Sequence, residues 1–185
     1  LCHDAPCSKA CPAGTDPGKF IRSIRFENYK GAAETIRENN ILGGICARVC
    51  PYQKYCQGAC LQSGIDRPIQ IGMLQQFAAD YERAANLHVL EKGEDNGHKV
   101  AVVGSGPAGL AAAAKLAQLG YGVTVFERDD RPGGWLSYGI PEERLPQDVV
   151  GHEVEYVKEL GVSIVTGTEI GKDITLSGLK EQGYE

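Results

Sequence analysis

The sequence predicts a small helical, cysteine-rich domain followed by the beginning of a doubly wound α/β domain. Two observations predict this order. All seven cysteines of the 185-residue chain lie at or before Cys60, among apolar residues that recur at helical spacing. Beyond residue 98, short apolar runs alternate with glycine turns and an alanine-rich stretch, as in parallel strand–helix–strand units. We expect the first domain over residues 1–90, a polar linker over 91–98 and the second domain over 99–185.

The first domain begins with two predicted helices. Asp16-Pro17 provides an N-cap followed by proline at the first helical position. An apolar face for the first helix is then supplied by Phe20, Ile21, Ile24 and the Phe26–Tyr29 stretch. A second helix is expected from Ala32 to about Asn39, where two successive asparagines favour its end.

Loops and one longer helix are predicted for the rest of this domain. Residues 42–70 are expected to form cysteine-rich loops, and a helix is expected from Met73 to Leu87. The apolar residues of this helix stand at helical spacing: Leu74, Phe77, Tyr81 and Ala84. Charged residues of the helices are expected on solvated faces: Glu34, Arg37 and Glu82.

The second domain opens with a glycine loop, VVGSGPAG at residues 102–109. The pattern Gly104-x-Gly106-x-x-Gly109 permits a tight turn, close approach of a pyrophosphate, and close packing of helix on strand. A helix that begins here offers free N–H groups to phosphate. Glu127 closes the following strand, where its carboxylate can accept hydrogen bonds from a ribose. The pattern therefore predicts dinucleotide binding.

The elements of this second domain follow from short apolar runs and their glycine turns. They are a strand over 100–103, a helix over 107–119, a strand over 123–126, a helix over 149–160 and a strand over 163–165.

A second glycine motif favours FAD over NAD. Glu127 suits the unphosphorylated ribose of either nucleotide. It is followed by RPGGWL at residues 131–136, GIP at 139–141 and RLP at 144–146. This arrangement resembles the flavin-binding half of pyridine-nucleotide–disulfide-type reductases, in which the glycine pair passes close to the FAD.

The cysteine spacing indicates iron–sulfur ligation. Cys7-x3-Cys11-Pro12 is echoed by Cys46-x3-Cys50-Pro51 and followed by Cys56-x3-Cys60. An odd count argues against disulfides, structural zinc commonly uses Cys-x2-Cys pairs that this chain lacks, and a lone redox pair would not need seven thiols. In two-cluster ferredoxins the cysteine before proline serves the other cluster, so the repeated unit predicts two 4Fe–4S clusters with interleaved ligands. Two such clusters need about eight ligands, more than the seven cysteines present.

Composition argues against several classes of protein. A net charge of −5 without a Lys/Arg-rich run argues against binding to nucleic acid or to an anionic membrane. No apolar run is long enough to span a bilayer and no signal peptide is visible, so a cytoplasmic protein is expected. The chain starts just before a cysteine and stops soon after a predicted helix, so we expect a part of a longer protein.

Longer stretches carry a family resemblance that covers essentially the whole chain. They are CHDAPCSKACPAGTDPGKFIRSI, GAAETIRENN, CARVCP, PIQIGMLQQF, GSGPAG and GGWLSYGIPEERLP. Together they resemble the FAD-containing, iron–sulfur small subunit of bacterial NAD-dependent dihydropyrimidine dehydrogenase. The same module is similar to the N-terminal part of the eukaryotic enzyme and to the small subunit of glutamate synthase. The resemblance implies an α-helical iron–sulfur domain followed by the first part of a doubly wound, Rossmann-like FAD-binding domain.

The resemblance also implies a ligand set for each cluster. The ligands of one cluster would be Cys2, Cys7 and Cys60, completed by a cysteine three residues before Cys2. The ligands of the other would be Cys11, Cys50, Cys56 and Gln76. The family's spacing from the last cysteine favours Gln76 over Gln75, and Cys46 is left over as a packing cysteine.

For FAD, the resemblance implies contacts from the glycine loop and from later segments. The residues expected at the pyrophosphate are Gly104, Ser105, Gly106, Pro107, Ala108 and Gly109. Glu127 is expected at the ribose. The residues expected elsewhere beside the cofactor are Gly134, Trp135, Arg144 and Ile170, the last on the adenosine side.

The activity that the resemblance implies is electron input. NADH would reduce FAD, and electrons would pass through the two clusters to a catalytic, FMN-containing large subunit that reduces uracil or thymine. In the family, NAD(H) binds in a domain that this chain lacks, so the chain alone is expected to be inactive. A hetero-oligomer is expected, and none of the residues above is expected to be catalytic.

Two other interpretations of the sequence stay open. The small subunit of NADPH-dependent glutamate synthase uses the same module to supply a different partner. A non-catalytic zinc- and nucleotide-binding adaptor would belong to another class altogether. Iron with acid-labile sulfide, or zinc without it, would separate the adaptor from the two enzymes.

Overall fold

The chain forms two compact units in the computed structural model, which describes residues 2–185. The first unit extends to Val89 and the second covers Leu90–Glu185. The first is built of helices, and the second contains a parallel three-stranded sheet accompanied by helices. This is the order of fold classes that the sequence predicts. Within residues 2–185, no helix is both long and apolar enough to cross a membrane.

Five helices and two short 3-10 turns make up the first unit as described. The helices are α1 (Pro6–Lys9), α2 (Pro17–Arg25), α3 (Tyr29–Asn39), α4 (Gly43–Val49) and α5 (Ile71–Ala84). The turns are Tyr52–Lys54 and Leu61–Gly64. A buried apolar cluster joins α2, α3 and α5 through Phe20, Ala32, Ile36, Ile71 and Ala78.

Side-chain caps determine where α2 and α3 begin. The Asp16 carboxylate accepts the N–H of Lys19 at 3.0 Å, and Asn28 accepts the N–H of Gly31 at 2.9 Å. Between the two helices, Glu27 adopts a left-handed backbone conformation with φ 57°. The chain therefore turns at this point, and the expectation that Phe26 extends the apolar face of α2 is wrong, because Phe26 is 70% exposed.

Helix α4 lies inside the segment that was expected to be loops. It begins with Gly43-Gly44, residues that usually weaken a helix, so its sequence gives little helical signal. The structure needs glycine here, because a Cβ on Gly43 would run into the side chain of Ile36 in α3. Close packing of α4 on α3 thus explains a helix that local propensity does not predict.

The buried face of α5 differs from the predicted face. The buried residues are Ile71, Gly72, Gln75, Ala78, Ala79 and Glu82. Phe77 and Tyr81, predicted to face the core, instead pack at the surface against the ring of Tyr29, with ring centroids 5.3 and 4.9 Å away. The small residues of α5 allow the helix to approach its neighbours closely, whereas its aromatic residues cover the edge of that contact.

Two charged residues expected on solvated faces form a buried ion pair. Arg37 of α3 donates from Nη2 to Glu82 Oε2 of α5 at 2.7 Å, and its Nε donates to the same carboxylate at 3.0 and 3.1 Å. Both side chains are 1% exposed. Arg37 also donates to the carbonyl of Ile41, so the pair joins two helices and the turn between α3 and α4.

The second unit is a strand–helix–strand arrangement with one further strand. Its elements are β1 (Lys99–Val103), α6 (Pro107–Gln118), β2 (Gly122–Phe126), α7 (Trp135–Tyr138), α8 (Gln147–Glu159), β3 (Ser163–Val165) and α9 (Leu176–Glu181). The strands are parallel in the order β1-β2-β3. Lys99 pairs with Gly122 at one end of β1, and Val103 pairs with Phe126 at the other. The carboxyl ends of β1 and β2 therefore meet at the edge that carries the glycine loop and Glu127.

Residues 91–98, interpreted from the sequence as a linker, contact the rest of the second unit. The N–H of Gly93 donates to the carbonyl of Ala117 at 3.0 Å. Gly120 has φ +88°, and a Cβ there would run into the carbonyl of Glu94. Glycine is therefore needed where this segment passes the end of α6.

Gly109→Ala is expected to destabilise the second unit, because a Cβ at this position would run into the Gly104 carbonyl oxygen. Overpacking of this kind costs about 1–3 kcal/mol. Gly106→Ala is the matched control, since a Cβ there meets nothing within 4 Å. It should lower the free energy of unfolding by no more than about 1 kcal/mol. Denaturant unfolding of the cofactor-free protein, followed by the fluorescence of Trp135, measures both. Equal stability of the two variants would contradict the close contact at Gly109.

Candidate functional site

The glycine loop joins β1 to α6 and exposes the start of that helix. Gly104 has φ +91°, which favours glycine, and Gly106 is the N-cap residue with φ −65°. Pro107 takes the first helical position of this 12-residue helix. No side chain caps α6, so its first N–H groups and its positive dipole end are available to a phosphate.

The Glu127 carboxylate is hydrogen-bonded to the glycine loop. Its Oε2 accepts the N–H of Ser105 at 2.8 Å and the Ser105 hydroxyl at 2.5 Å, and its Oε1 accepts the N–H of Asp129 at 3.0 Å. Burial by itself would raise the pKa of Glu127, but the hydrogen bonds from Ser105 and Asp129 outweigh it and lower that pKa. Glu127 is therefore ionised at neutral pH. The carboxylate is thus held, charged, beside the glycine loop, where the sequence predicts a ribose.

The glycine pair Gly133-Gly134 lies directly against the glycine loop. Both residues have left-handed backbone conformations, with φ +115° and +55°. A Cβ on Gly134 would stand 3.2 Å from the Cα of Gly106, and the N–H of Gly133 donates to the carbonyl of Ser105 at 3.1 Å. The two glycine segments that the sequence assigned to one cofactor are therefore neighbours.

A cavity of about 300 Å³ adjoins the glycine pair. Its lining residues are Arg128, Asp129, Gly134, Trp135, Tyr138 and Gly139. Trp135 is 77% exposed, so its indole is free to pack on a flat ligand. Two other residues predicted beside the cofactor do not line this cavity: Arg144 is exposed, and half-buried Ile170 forms a β-bridge with Ile174.

Sequence reasoning did not name four of the residues that line this cavity as site residues: Arg128, Asp129, Tyr138 and Gly139, the last of which begins the GIP stretch that favoured FAD. Their positions in the sequence could have indicated them: Arg128 and Asp129 directly follow Glu127, and Tyr138 and Gly139 lie one helical turn after Trp135. Tyr138 also orders the segment between them, since its hydroxyl donates to Asp130 at 2.5 Å and accepts the N–H of Arg131 at 2.9 Å.

Three of the predicted cluster ligands meet in the first unit. Cys2, Cys7 and Cys60, called here the first thiol group, line one cavity of about 400 Å³. The other walls of that cavity are largely apolar and include Ile21 and Ile71. Burial and the charge of Cys60 raise the pKa of the Cys7 thiol. The structure therefore gathers thiols from both cysteine segments around one space.

Among the remaining predicted cysteine ligands, Cys50 and Cys56 have thiol pKa values raised by burial and by neighbouring cysteine charges. Cys11, Cys50 and Cys56 are called here the second thiol group. Burial, with contributions from the charges of Cys46, Cys56 and Cys11, raises the pKa of Cys50 to about 11. Burial also raises the pKa of Cys56 to about 11, and the charge of Cys11 contributes more to it than that of Cys7. Bound metal favours thiolate and would relieve this repulsion.

The two glutamines considered as ligands have different surroundings. Gln75 is 8% exposed, and its Nε2 donates to the carbonyl of Gly43 at 2.9 Å, which fixes α5 to the start of α4. Gln76 is half-buried. Because this hydrogen bond uses the Nε2 of Gln75 and not its Oε1, the choice of Gln76 as the ligand stays a prediction from the family's spacing.

The donor set fits iron–sulfur clusters. Within residues 2–185, no three histidine, cysteine or acidic side chains have a geometry that could hold a single metal ion. A cubane has its iron atoms at separate corners and does not need its thiolates to converge on one point. Thiols spread around a mostly apolar cavity match that requirement.

Comparison with known families assigns each unit to a class. Residues 1–87 match the family described as dihydropyrimidine dehydrogenase domain II, 4Fe–4S cluster. Residues 102–173 match the NAD(P)-binding Rossmann-like domain family. The predicted fold class is therefore confirmed: the chain combines an iron–sulfur domain with a Rossmann-like nucleotide-binding domain, as in oxidoreductase subunits.

Individual relatives narrow the class further. The chain is 55% identical, over 182 residues, to the NAD-dependent dihydropyrimidine dehydrogenase subunit PreT of Escherichia coli O157:H7 and to that of Salmonella typhimurium. The alignment covers 98% of this chain, and the chain spans 44% of the length of these relatives. The predicted family resemblance is confirmed: the chain is homologous to the subunits of NAD-dependent dihydropyrimidine dehydrogenase. A 2-naphthoyl-CoA reductase complex matches at 23% identity over 76% of this chain and 22% of that chain, with a TM-score of 0.39, too slight a likeness to support a conclusion.

Proposed function

We propose that this chain is the part of an electron-input subunit that holds FAD and two 4Fe–4S clusters. The observation that carries the proposal is the combination of two thiol groups in one unit with a glycine loop, an acidic strand end and a glycine pair in the other. When bound, these cofactors supply two-electron and one-electron chemistry that no side chain offers. The protein's own part is to provide donors, shape and charge.

Each thiol group is assigned to one cluster. The first, with Cys2, Cys7 and Cys60, is supported by their common cavity. The second, with Cys11, Cys50 and Cys56, is supported by the charge of Cys11, which contributes to the raised pKa of both Cys50 and Cys56, although the charge of Cys46 contributes more to that of Cys50. Gln76 is proposed as the fourth ligand of the second cluster. An amide is neutral, so this cluster would carry one negative charge fewer than a cluster with four thiolates, a difference that tunes its potential.

FAD is proposed for the second unit. The start of α6 is suited to the pyrophosphate, and ionised Glu127 is suited to a ribose hydroxyl. The glycine pair packs so closely on Gly106 that both segments can lie against one ligand. Trp135, Arg144 and Ile170 stay proposed contacts elsewhere along the cofactor.

The substrate and the partner are proposed from the relatives. Those relatives are named as subunits of an NAD-dependent dihydropyrimidine dehydrogenase. On this basis electrons would come from NADH and would leave for an FMN-containing large subunit that reduces uracil or thymine to the 5,6-dihydropyrimidine. No pyrimidine site is assigned to this chain, which is consistent with a role in electron supply.

The test is anaerobic purification of the complete protein together with its neighbouring subunit. We expect iron and acid-labile sulfide of about eight each per chain, bound FAD, and NADH-dependent reduction of uracil and thymine. Zinc without sulfide would overturn the cofactor proposal. Glutamate formation from 2-oxoglutarate and glutamine, without pyrimidine reduction, would replace the proposed substrate and leave the cofactors in place.

Glu127→Ala is expected to weaken FAD binding by about 1.5–3 kcal/mol, because it removes a charge-assisted hydrogen bond to the ribose. Equilibrium titration of the cofactor-free protein with FAD measures the change. Glu155→Ala is the control, since Glu155 is exposed on α8 and pairs with a surface lysine, Lys158. Unchanged FAD affinity in Glu127→Ala would reassign Glu127 to a structural role.

A further inference from the structure

Ser105 connects the three segments of the proposed dinucleotide site. It lies within the glycine loop and has 0% of its surface exposed. Its hydroxyl donates to Glu127 Oε2 at 2.5 Å and accepts the N–H of Gly133 at 3.1 Å. Its backbone repeats both connections, through an N–H given to Glu127 at 2.8 Å and a carbonyl that accepts from Gly133 at 3.1 Å.

These contacts leave the hydroxyl no role as a direct ligand. A serine hydroxyl has one proton to donate, and here Glu127 accepts it. A cofactor phosphate needs a donor, so the buried side chain has nothing to offer to it. The Ser105 N–H is likewise given to Glu127, so Ser105 can lie beside the pyrophosphate, as expected, but has no free donor for it.

We infer that Ser105 is a positioning residue of this site, whose hydroxyl holds the Glu127 carboxylate and the glycine pair in the geometry that the cofactor requires. The inference rests on the proposed FAD function. Gly133 and Gly134 have left-handed backbone conformations and are the most permissive residues of the segment. Without the hydroxyl, only the backbone of Ser105 would hold this turn and the carboxylate, so both would be less ordered before binding, which lowers affinity.

A double-mutant cycle on FAD affinity tests the inference in the complete protein. Ser105→Ala is expected to raise the dissociation constant of FAD about tenfold, the lower end for loss of a hydrogen bond to a charged group. In the Glu127→Gln protein, Ser105→Ala should raise the dissociation constant of FAD much less, because the hydroxyl acts through the carboxylate. Ser177→Ala is the matched control, a serine exposed on α9, and should leave FAD affinity unchanged.

The outcomes are distinguishable. If Ser105→Ala lowered FAD affinity equally in the wild-type and the Glu127→Gln protein, the role of Ser105 would be merely structural and the inference would be wrong. Unchanged FAD affinity in Ser105→Ala would also overturn it. Should Ser105→Ala fail to fold, Ser105→Cys keeps a weaker donor and should give a smaller loss that again depends on Glu127. Failure of the unsubstituted protein to bind FAD would instead overturn the proposed function, and this inference with it.

Discussion

Cys11→Ala and Cys50→Ala are expected to remove the same 4Fe–4S cluster and to leave the other in place, so that iron content falls to about half. The reason is that Cys11 and Cys50 come from different cysteine segments, but the charge of Cys11 is among those that raise the pKa of Cys50. Cys60→Ala should damage the other cluster, because Cys60 lines a cavity with Cys2 and Cys7. Iron, acid-labile sulfide and low-temperature spin resonance of the reduced, anaerobically prepared protein measure these losses.

Cys46→Ala is the control for this assignment. The charge of Cys46 contributes to the raised pKa of Cys50, but Cys46 belongs to neither predicted ligand set. Its replacement is therefore a stringent test of the assignment. We expect both clusters to survive its replacement. If Cys46→Ala removed a cluster that Cys11→Ala left intact, the ligands would follow chain order and the interleaved scheme would be wrong.

The parts of the fold that could be predicted are those in which a short local pattern determines the structure. Strand β3 was predicted at 163–165 and lies at Ser163–Val165. Helix α6 was predicted at 107–119 and covers Pro107–Gln118, because proline and the glycine loop define its beginning. The same local logic predicted that Glu127 follows β2. In each case glycine or proline limits the backbone so strongly that few alternatives remain.

The parts that could not be predicted depend on partners far away in the sequence. Arg37 and Glu82 are 45 residues apart, and each alone has the spacing of a solvated helix residue. The buried face of α5 also differs from the predicted one, because it depends on the helices that pack against it. Phe77 is more hydrophobic than Ala78, but the close approach of neighbouring helices selects the small residue for the core. The structural role of Gln75 likewise depends on a distant partner, the carbonyl of Gly43.

Glu82→Ala is expected to destabilise the first unit by about 3–5 kcal/mol, the usual cost of removing one partner from a buried ion pair. The Arg37 side chain is 1% exposed, so its guanidinium cannot turn to water. The substitution removes the carboxylate that accepts hydrogen bonds from its Nε and Nη2. Denaturant unfolding of the cluster-loaded protein, followed by loss of cluster absorbance, reports on this unit, because all the cysteines lie in it.

Two comparisons separate the buried charge from the loss of side-chain volume. Glu34→Ala removes a carboxylate from an exposed i,i+4 pair with Lys30 and should cost less than about 0.5 kcal/mol. Replacing both partners, Arg37→Met with Glu82→Leu, should recover most of the stability, because apolar side chains of similar volume leave no unpaired charge in the interior. A loss in Glu82→Ala no larger than that in Glu34→Ala would show that the guanidinium finds another acceptor. A double replacement as unstable as Glu82→Ala would show that α3 and α5 depend on the charges themselves to stay together.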